Sequence, residues 1–97
     1  MPSKASLPKV YLACVADECL YYMLCIAQDG TSLLNQWAAS RGEVHKTMRD
    51  HGRAIADKHY PQGWQLVDLT KLSNEELIRN SEFNTIMNLT NNAPPSR

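Results

Sequence analysis

The 97-residue chain has no surplus of either charge, ten Lys and Arg standing against ten Asp and Glu. A protein without a net field is not drawn as a whole toward nucleic acid or an anionic membrane. It lacks any apolar run of about 18 residues, the length that a membrane-crossing helix requires. The opening MPSKASLPK has no hydrophobic signal core, so the cytosol is the expected compartment.

Cysteine is sparse and odd in number. Cys14, Cys19 and Cys25 lie within or beside apolar runs, with neither the even count of a disulfide framework nor the CxxC spacing of a zinc site. They read as reduced, small, apolar residues, the alternatives being a metal site completed by histidine and a reactive thiol. Glycine is scarce too: four residues, at 30, 42, 52 and 63, make neither a phosphate-cradling loop nor a dinucleotide fingerprint. HExxH is missing. His45 and His59 lie fourteen residues apart on one inferred helix, about 21 Å at 1.5 Å per residue, too far to share a metal. No Cys–His pair carries a nucleophile signature. The expectation is therefore no enzyme, no metal and no cofactor.

What the chain does have is a strong pattern at residues 40–69. Ser40 and Glu43 have capping-box spacing, the serine accepting from the N–H three residues on and the glutamate reaching back to the cap. Behind them Val44, Met48, His51, Ile55 and His59 form an apolar stripe at helical spacing. Lys46, Asp50, Arg53 and Asp57 alternate in sign on the other faces, a solvated ladder. Pro61 stops the helix, and Pro61-Gln62-Gly63 is a tight corner. Residues 64–69, WQLVDL, follow as a strand apolar on both sides, which suits a central position in a sheet.

Upstream, residues 9–15 and 21–28 read as strands, and Asp29-Gly30 is a type I′ hairpin signal that folds 31–38 back. A two-residue loop sets Gln28 opposite Thr31, Ile26 opposite Leu33 and Tyr22 opposite Trp37 on one face. Cys25 then opposes Leu34 and Tyr21 opposes Ala38 on the other. The Ile26–Leu33 and Tyr22–Trp37 face is the one expected under the helix. Ser73 and Glu76 repeat the capping-box spacing and open a final helical stretch to about residue 90, as one helix or two. No internal repeat is present. The fold class is thus α+β: a small antiparallel sheet in the order β-β-β-α-β-α with the central helix packed on one face. Residues 1–8 are expected as a flexible leader, 9–90 as a single domain and 91–97 as a flexible tail.

For function, aromatic mass is the informative feature. Trp37, Trp64, Tyr21, Tyr22 and Tyr60 exceed what one small core must hold, and aromatics with arginine dominate protein interfaces. Trp37, Arg41, Arg49, Arg53 and Trp64 are accordingly the candidate partner-binding residues. The alternative is a nucleic-acid-binding module using the 41–58 helix, where Arg41, Lys46, Arg49, Arg53 and Lys58 face Glu43, Asp50 and Asp57. So few unopposed cations favour a protein partner.

The series YYMLCIAQDGTSL (21–33), SRGEVHKTM (40–48) and KHYPQGWQLVDL (58–69) resembles small proteins encoded in bacteriophage and prophage genomes, a family of unassigned activity. Its recurring marks are the DGT hairpin and the YP-x-G-aromatic corner. Members often carry histidine and consecutive serines after the hairpin, where this chain has Gln36 and Ala38-Ala39-Ser40. A site built on those side chains does not carry over. The resemblance implies a viral accessory protein in the host cytosol that binds and modulates host machinery, anti-CRISPR and other anti-defence inhibitors being the analogous class.

Overall fold

β1 (Lys9–Ala16) is the strand on which the sheet is assembled. It pairs antiparallel with β2 (Tyr21–Ala27), from Val10 opposite Ala27 to Ala16 opposite Tyr21. On its other side it pairs parallel with β4 (Gln65–Leu69), from Lys9 opposite Gln65 to Ala13 opposite Leu69. β3 (Ser32–Ala38) closes the order β3-β2-β1-β4. The computed structural model describes residues 7–18 and 20–92.

The α+β class and the element order are as the pattern predicts, but the sheet is mixed, because β4 arrives parallel to β1. A helical connection between β3 and β4 brings the chain back in the same direction, which a hairpin cannot do. β4 is also an edge rather than a central strand. Asp68 and Leu66 are exposed, whereas β1 carries no charge after Lys9 and is buried from Val10 to Cys14 on both faces. A central β4 would have buried the Asp68 carboxylate.

The connection is a rod of three parts: α1 (Arg41–Thr47), a π-helical turn (Met48–Gly52) and α2 (Arg53–His59). Its buried residues, Val44, Met48, Gly52 and Ala56, recur every four positions. A strict four-residue step drifts around a 3.6-residue helix, and one wider turn, with the Arg53 N–H donating back to the Met48 carbonyl, takes up the drift. His51 and His59, expected on the apolar stripe, are consequently exposed, and Ile55 is half-buried. Gly52 matters here for closeness: a Cβ on it would lie 2.7 Å from the Met48 Cε.

The rod lies on the face that presents Val10, Leu12, Cys14, Met23, Cys25 and Ala38, the reverse of the expected face. Cys14, Cys25 and Ala38 are small, so a helix carrying Gly52 and Ala56 approaches closely, and the bulky Tyr22–Trp37 pair is left opposite. That opposite face is covered as well. Leu77 of α3 (Asn74–Arg79) and Phe83 and Ile86 of α4 (Ser81–Asn92) bury Tyr11, Ala13, Leu24, Ile26 and Leu69. Burying side chains of this size contributes about 1.5–3 kcal/mol each.

Local signals decide most boundaries. Ser73 and Glu76 form the reciprocal capping box, while at Ser40 half of it forms: Ser40 Oγ accepts from the Glu43 N–H, but the Glu43 carboxylate takes the Ala39 N–H. Asn80 divides the last stretch into two helices, its backbone extended and its side chain capping the Phe83 N–H at 2.8 Å. α4 runs on to Asn92, past the expected end at about residue 90. Leu7 and Pro8, expected in the leader, are tied to Gln65 through their carbonyls. The rest of the expected leader and tail, and Cys19, lie outside the described residues.

The 27–31 hairpin has a three-residue loop. The Gly30 N–H donates to the Ala27 carbonyl and the Ala27 N–H to the Thr31 carbonyl, while Gly30 alone takes positive φ, +90°. Asp29 remains at negative φ because its carboxylate accepts the Thr31 N–H at 2.9 Å. The extra loop residue is absorbed by a bulge. Tyr22–Trp37, Tyr21–Ala38 and Cys25–Leu34 pair as the spacing predicts, but Ile26 meets Ser32 instead of Leu33. Leu33 is left without a cross-strand partner, and it packs with Leu34 toward the rod.

Candidate functional site

Among the openings in this three-layer packing, two lie on opposite faces of the sheet. The first lies between the rod and the β1–β4 edge, a cavity of about 120 Å³. Its apolar walls come from Val10, Leu12, Met48 and Leu66, and its polar rim from His45, Arg49, Arg53 and Asp68. Trp64, just past the Tyr60–Gly63 corner, supplies one wall, and its indole N–H donates to the Asp57 carboxylate at 2.8 Å. That bond fixes the ring against α2.

Beside this cavity a polar knot joins β4 to α1. Asp68 Oδ1 accepts the Thr70 N–H at 2.9 Å and the Thr70 hydroxyl at 2.6 Å, with His45 Nε2 3.5 Å from the same hydroxyl. Arg41 Nη1 donates to the Thr70 carbonyl at 2.8 Å and its guanidinium lies 5.5 Å from the Tyr21 ring centroid. Burial opposes ionisation of Asp68, but the Thr70 hydrogen bonds and the charges of His45 and Lys71 outweigh it and hold the carboxyl below its ordinary value. A hydroxyl, an imidazole and a carboxylate in sequence have the outline of a nucleophile triad. Thr70 is buried, however, and its hydroxyl proton is already committed to Asp68, so the geometry is that of a clasp between elements.

The second opening is larger and more apolar. A groove of about 590 Å³ runs between the β2–β3 half of the sheet and the α3–α4 pair. Tyr22, Leu24 and Ile26 form its floor, and Leu77, Phe83 and Met87 its wall. Asn35 and Ser32 line it from β3. Trp37 stands on the same face, stacked at a tilt on Tyr22 with centroids 4.8 Å apart and still 56% exposed. Ile78, which lines the groove from α3, is 67% exposed.

The five sequence-predicted residues therefore divide. Arg49, Arg53 and Trp64 come together at the cavity, Trp37 stands on the opposite face, and Arg41 is held by Thr70 and Tyr21. Sequence reasoning missed the groove residues Asn35, Ile78 and Met87. Ile78 carried a usable signal: it directly follows Leu77 in a six-residue helix, and one helical face cannot bury both. Two of the three cysteines are inert by placement. Cys14 and Cys25 are buried free thiols, and burial pushes the Cys25 thiol up to about 11. No helix among the described residues is long and apolar enough to cross a membrane. No family model, curated protein or solved structure matches the chain.

Proposed function

We propose that the protein acts by binding another protein, without catalysis: an extended segment of the partner adds to the outer edge of β3 and seats alternate apolar side chains in the groove. The observation carrying this reading is the character of that edge. Residues 30–40 contain no charge, β3 has a neighbour on one side only, and Trp37 projects beside it at 56% exposure. Sheet edges are ordinarily guarded by charges, prolines or bulges, and here the bulge at Leu33 guards the hairpin end alone. Backbone pairing along an edge, with pockets for every second side chain, is an established mode of peptide recognition. The resemblance to small phage proteins makes a host protein the partner class and stoichiometric inhibition, of the anti-defence kind, the mode of action.

The test is retention of a partner from host lysate on tagged protein, with and without nuclease. Trp37→Ala removes the exposed ring, and Gln36→Lys puts a charge on the edge. Each is expected to lower affinity by about 30-fold, the cost of a hot-spot residue of about 2 kcal/mol. Retention indifferent to both substitutions refutes the reading. Loss on nuclease treatment instead favours nucleic acid on the 41–58 helix.

A further inference from the structure

We infer that the cavity between the rod and the β1–β4 edge is a binding site for a small molecule made of one planar ring bearing an oxyanion, a carboxylate or a phosphate. The site lies on the other face of the sheet from the groove and is independent of the reading above. Size comes first. At about 120 Å³ the cavity is slightly smaller than the roughly 150 Å³ apolar cavity that accepts benzene, so one ring fills it. Val10, Leu12, Met48 and Leu66 offer that ring apolar walls, and Trp64 offers an aromatic one held in place by Asp57.

Charge at the rim supplies the second half of the ligand. Arg49 within the π-helical turn and Arg53 just after it stand four residues apart, and both line the cavity while their remaining surface is in water. Among the described residues the one ion pair is Lys9 with Glu82, so neither guanidinium is paired with a carboxylate of those residues. Asp68, the acidic residue on the rim, has one oxygen occupied by Thr70, and His45 stands beside it. The nearby carboxylates of Asp68 and Asp57 are taken up by neutral donors, Thr70 and the Trp64 indole, which leaves the two guanidinium groups as the donors at the mouth of an apolar interior. A guanidinium pairs with a carboxylate or phosphate through two parallel N–H donors, which orients the anion outward and the ring inward.

The experiment uses the full chain carrying Trp37→Phe, so that Trp64 is the sole indole reporter. Phenyl phosphate, benzoate, inorganic phosphate and benzyl alcohol are titrated separately at millimolar concentrations, reading Trp64 fluorescence and backbone amide shifts. Phenyl phosphate or benzoate is expected to saturate, with amide shifts confined to residues around 45–53 and 64–68. The anion alone and the neutral ring alone bind at least about tenfold more weakly, since each lacks one half of the recognition. Arg49→Ala with Arg53→Ala lowers the ring-oxyanion affinity by a further tenfold or more, and because both residues are exposed the circular dichroism spectrum is unchanged. Inorganic phosphate binding as tightly as phenyl phosphate, or no saturation by either ring-oxyanion probe, overturns the inference without recourse to any arginine variant. A ring-oxyanion affinity indifferent to the double arginine substitution in a folded protein overturns it equally.

Discussion

Gly30→Ala tests whether α4 truly docks on the β2–β3 hairpin. Gly30 has φ +90° and is buried, and a Cβ there would meet the Leu89 Cβ at 2.8 Å, the Leu89 carbonyl carbon at 3.1 Å and the Thr90 nitrogen at 3.2 Å. Two of those three atoms are backbone, so no rotamer change relieves the clash. Gly63, at φ +120°, is the internal control, because its Cβ would meet nothing closer than a flexible Leu7 methyl at 3.4 Å. The unfavourable φ costs about 1–3 kcal/mol at either site. Overpacking against helix backbone adds about 1–3 kcal/mol at Gly30 alone. Gly30→Ala should therefore lose about 2–6 kcal/mol in urea unfolding, and Gly63→Ala about half of that. Against a total stability of roughly 5–15 kcal/mol for a chain of this size, the first variant is partly unfolded at modest denaturant. The contact is two-sided: the Thr90 hydroxyl donates to the Gly30 carbonyl at 2.9 Å, and pushing the helix away breaks that bond too. Equal losses at the two glycines would refute the docking of α4 and with it one wall of the groove.

Two further outcomes follow from the titratable groups. Asp29 and Asp68 are both held below the ordinary carboxyl value of 3.8, Asp29 mainly by hydrogen bonds from Thr31. The folded protein thus binds fewer protons than the unfolded one, so their stabilisation is present above about pH 4 and is lost as pH falls through the lowered values. Asp68→Asn should flatten the acid limb of stability measured by urea titration below that pH, and parallel curves for parent and variant would contradict it. For the thiols the sign is opposite: with Cys25 near 11 and Cys14 also raised by burial, both are protonated at about pH 8. Iodoacetamide should leave Cys14 and Cys25 unmodified in the native protein and modify both in urea, read by peptide mass spectrometry. Native-state modification of Cys25 at the rate of a free peptide thiol would mean that the rod does not cover it.

How much of this was readable in advance depends on the range of the interaction. Signals that act within four or five residues survive into the structure: Ser40 and Ser73 start helices, Tyr60 to Gly63 is a turn, and Asp29-Gly30 is a hairpin. The loop size at that hairpin was missed for an equally local reason, because Asp29 can satisfy the Thr31 N–H from its side chain and so has no need of positive φ. Longer-range choices were not legible. Nothing in WQLVDL states that β4 pairs parallel, since that follows from where a 19-residue rod delivers the chain, although Asp68 was a usable sign of an edge strand. The face of the sheet chosen by the rod depended on the joint smallness of Cys14, Cys25, Ala38, Gly52 and Ala56, residues scattered over the first 56 positions. A 3.6-residue template also misplaced His51, because the π-helical turn is a response to the surface the rod lies on.

Both candidate sites have one geometric origin. Four strands at about 4.8 Å spacing put the outer strand axes about 14 Å apart, whereas a helix with its side chains covers about 10–12 Å. On the rod face the exposed strip falls at β4, and the cavity lies between it and the rod. On the other face α3 and α4 pack over the β1–β2 side, Asn74 bonding both backbone groups of Ala16 and Tyr11 reaching Glu82. The strip left open there is β3 and its flank, which becomes the groove. Geometry alone accounts for the openings but not for what lines them. A protein with no use for its gaps would be expected to guard the β3 edge with charge and to close Arg53 onto Asp50 or Asp57, which stand at helical spacing from it. Here the edge is uncharged beside an exposed tryptophan, and two arginines face an apolar cavity with no ion-pair partner among the described residues. The linings, rather than the gaps, are what point to binding.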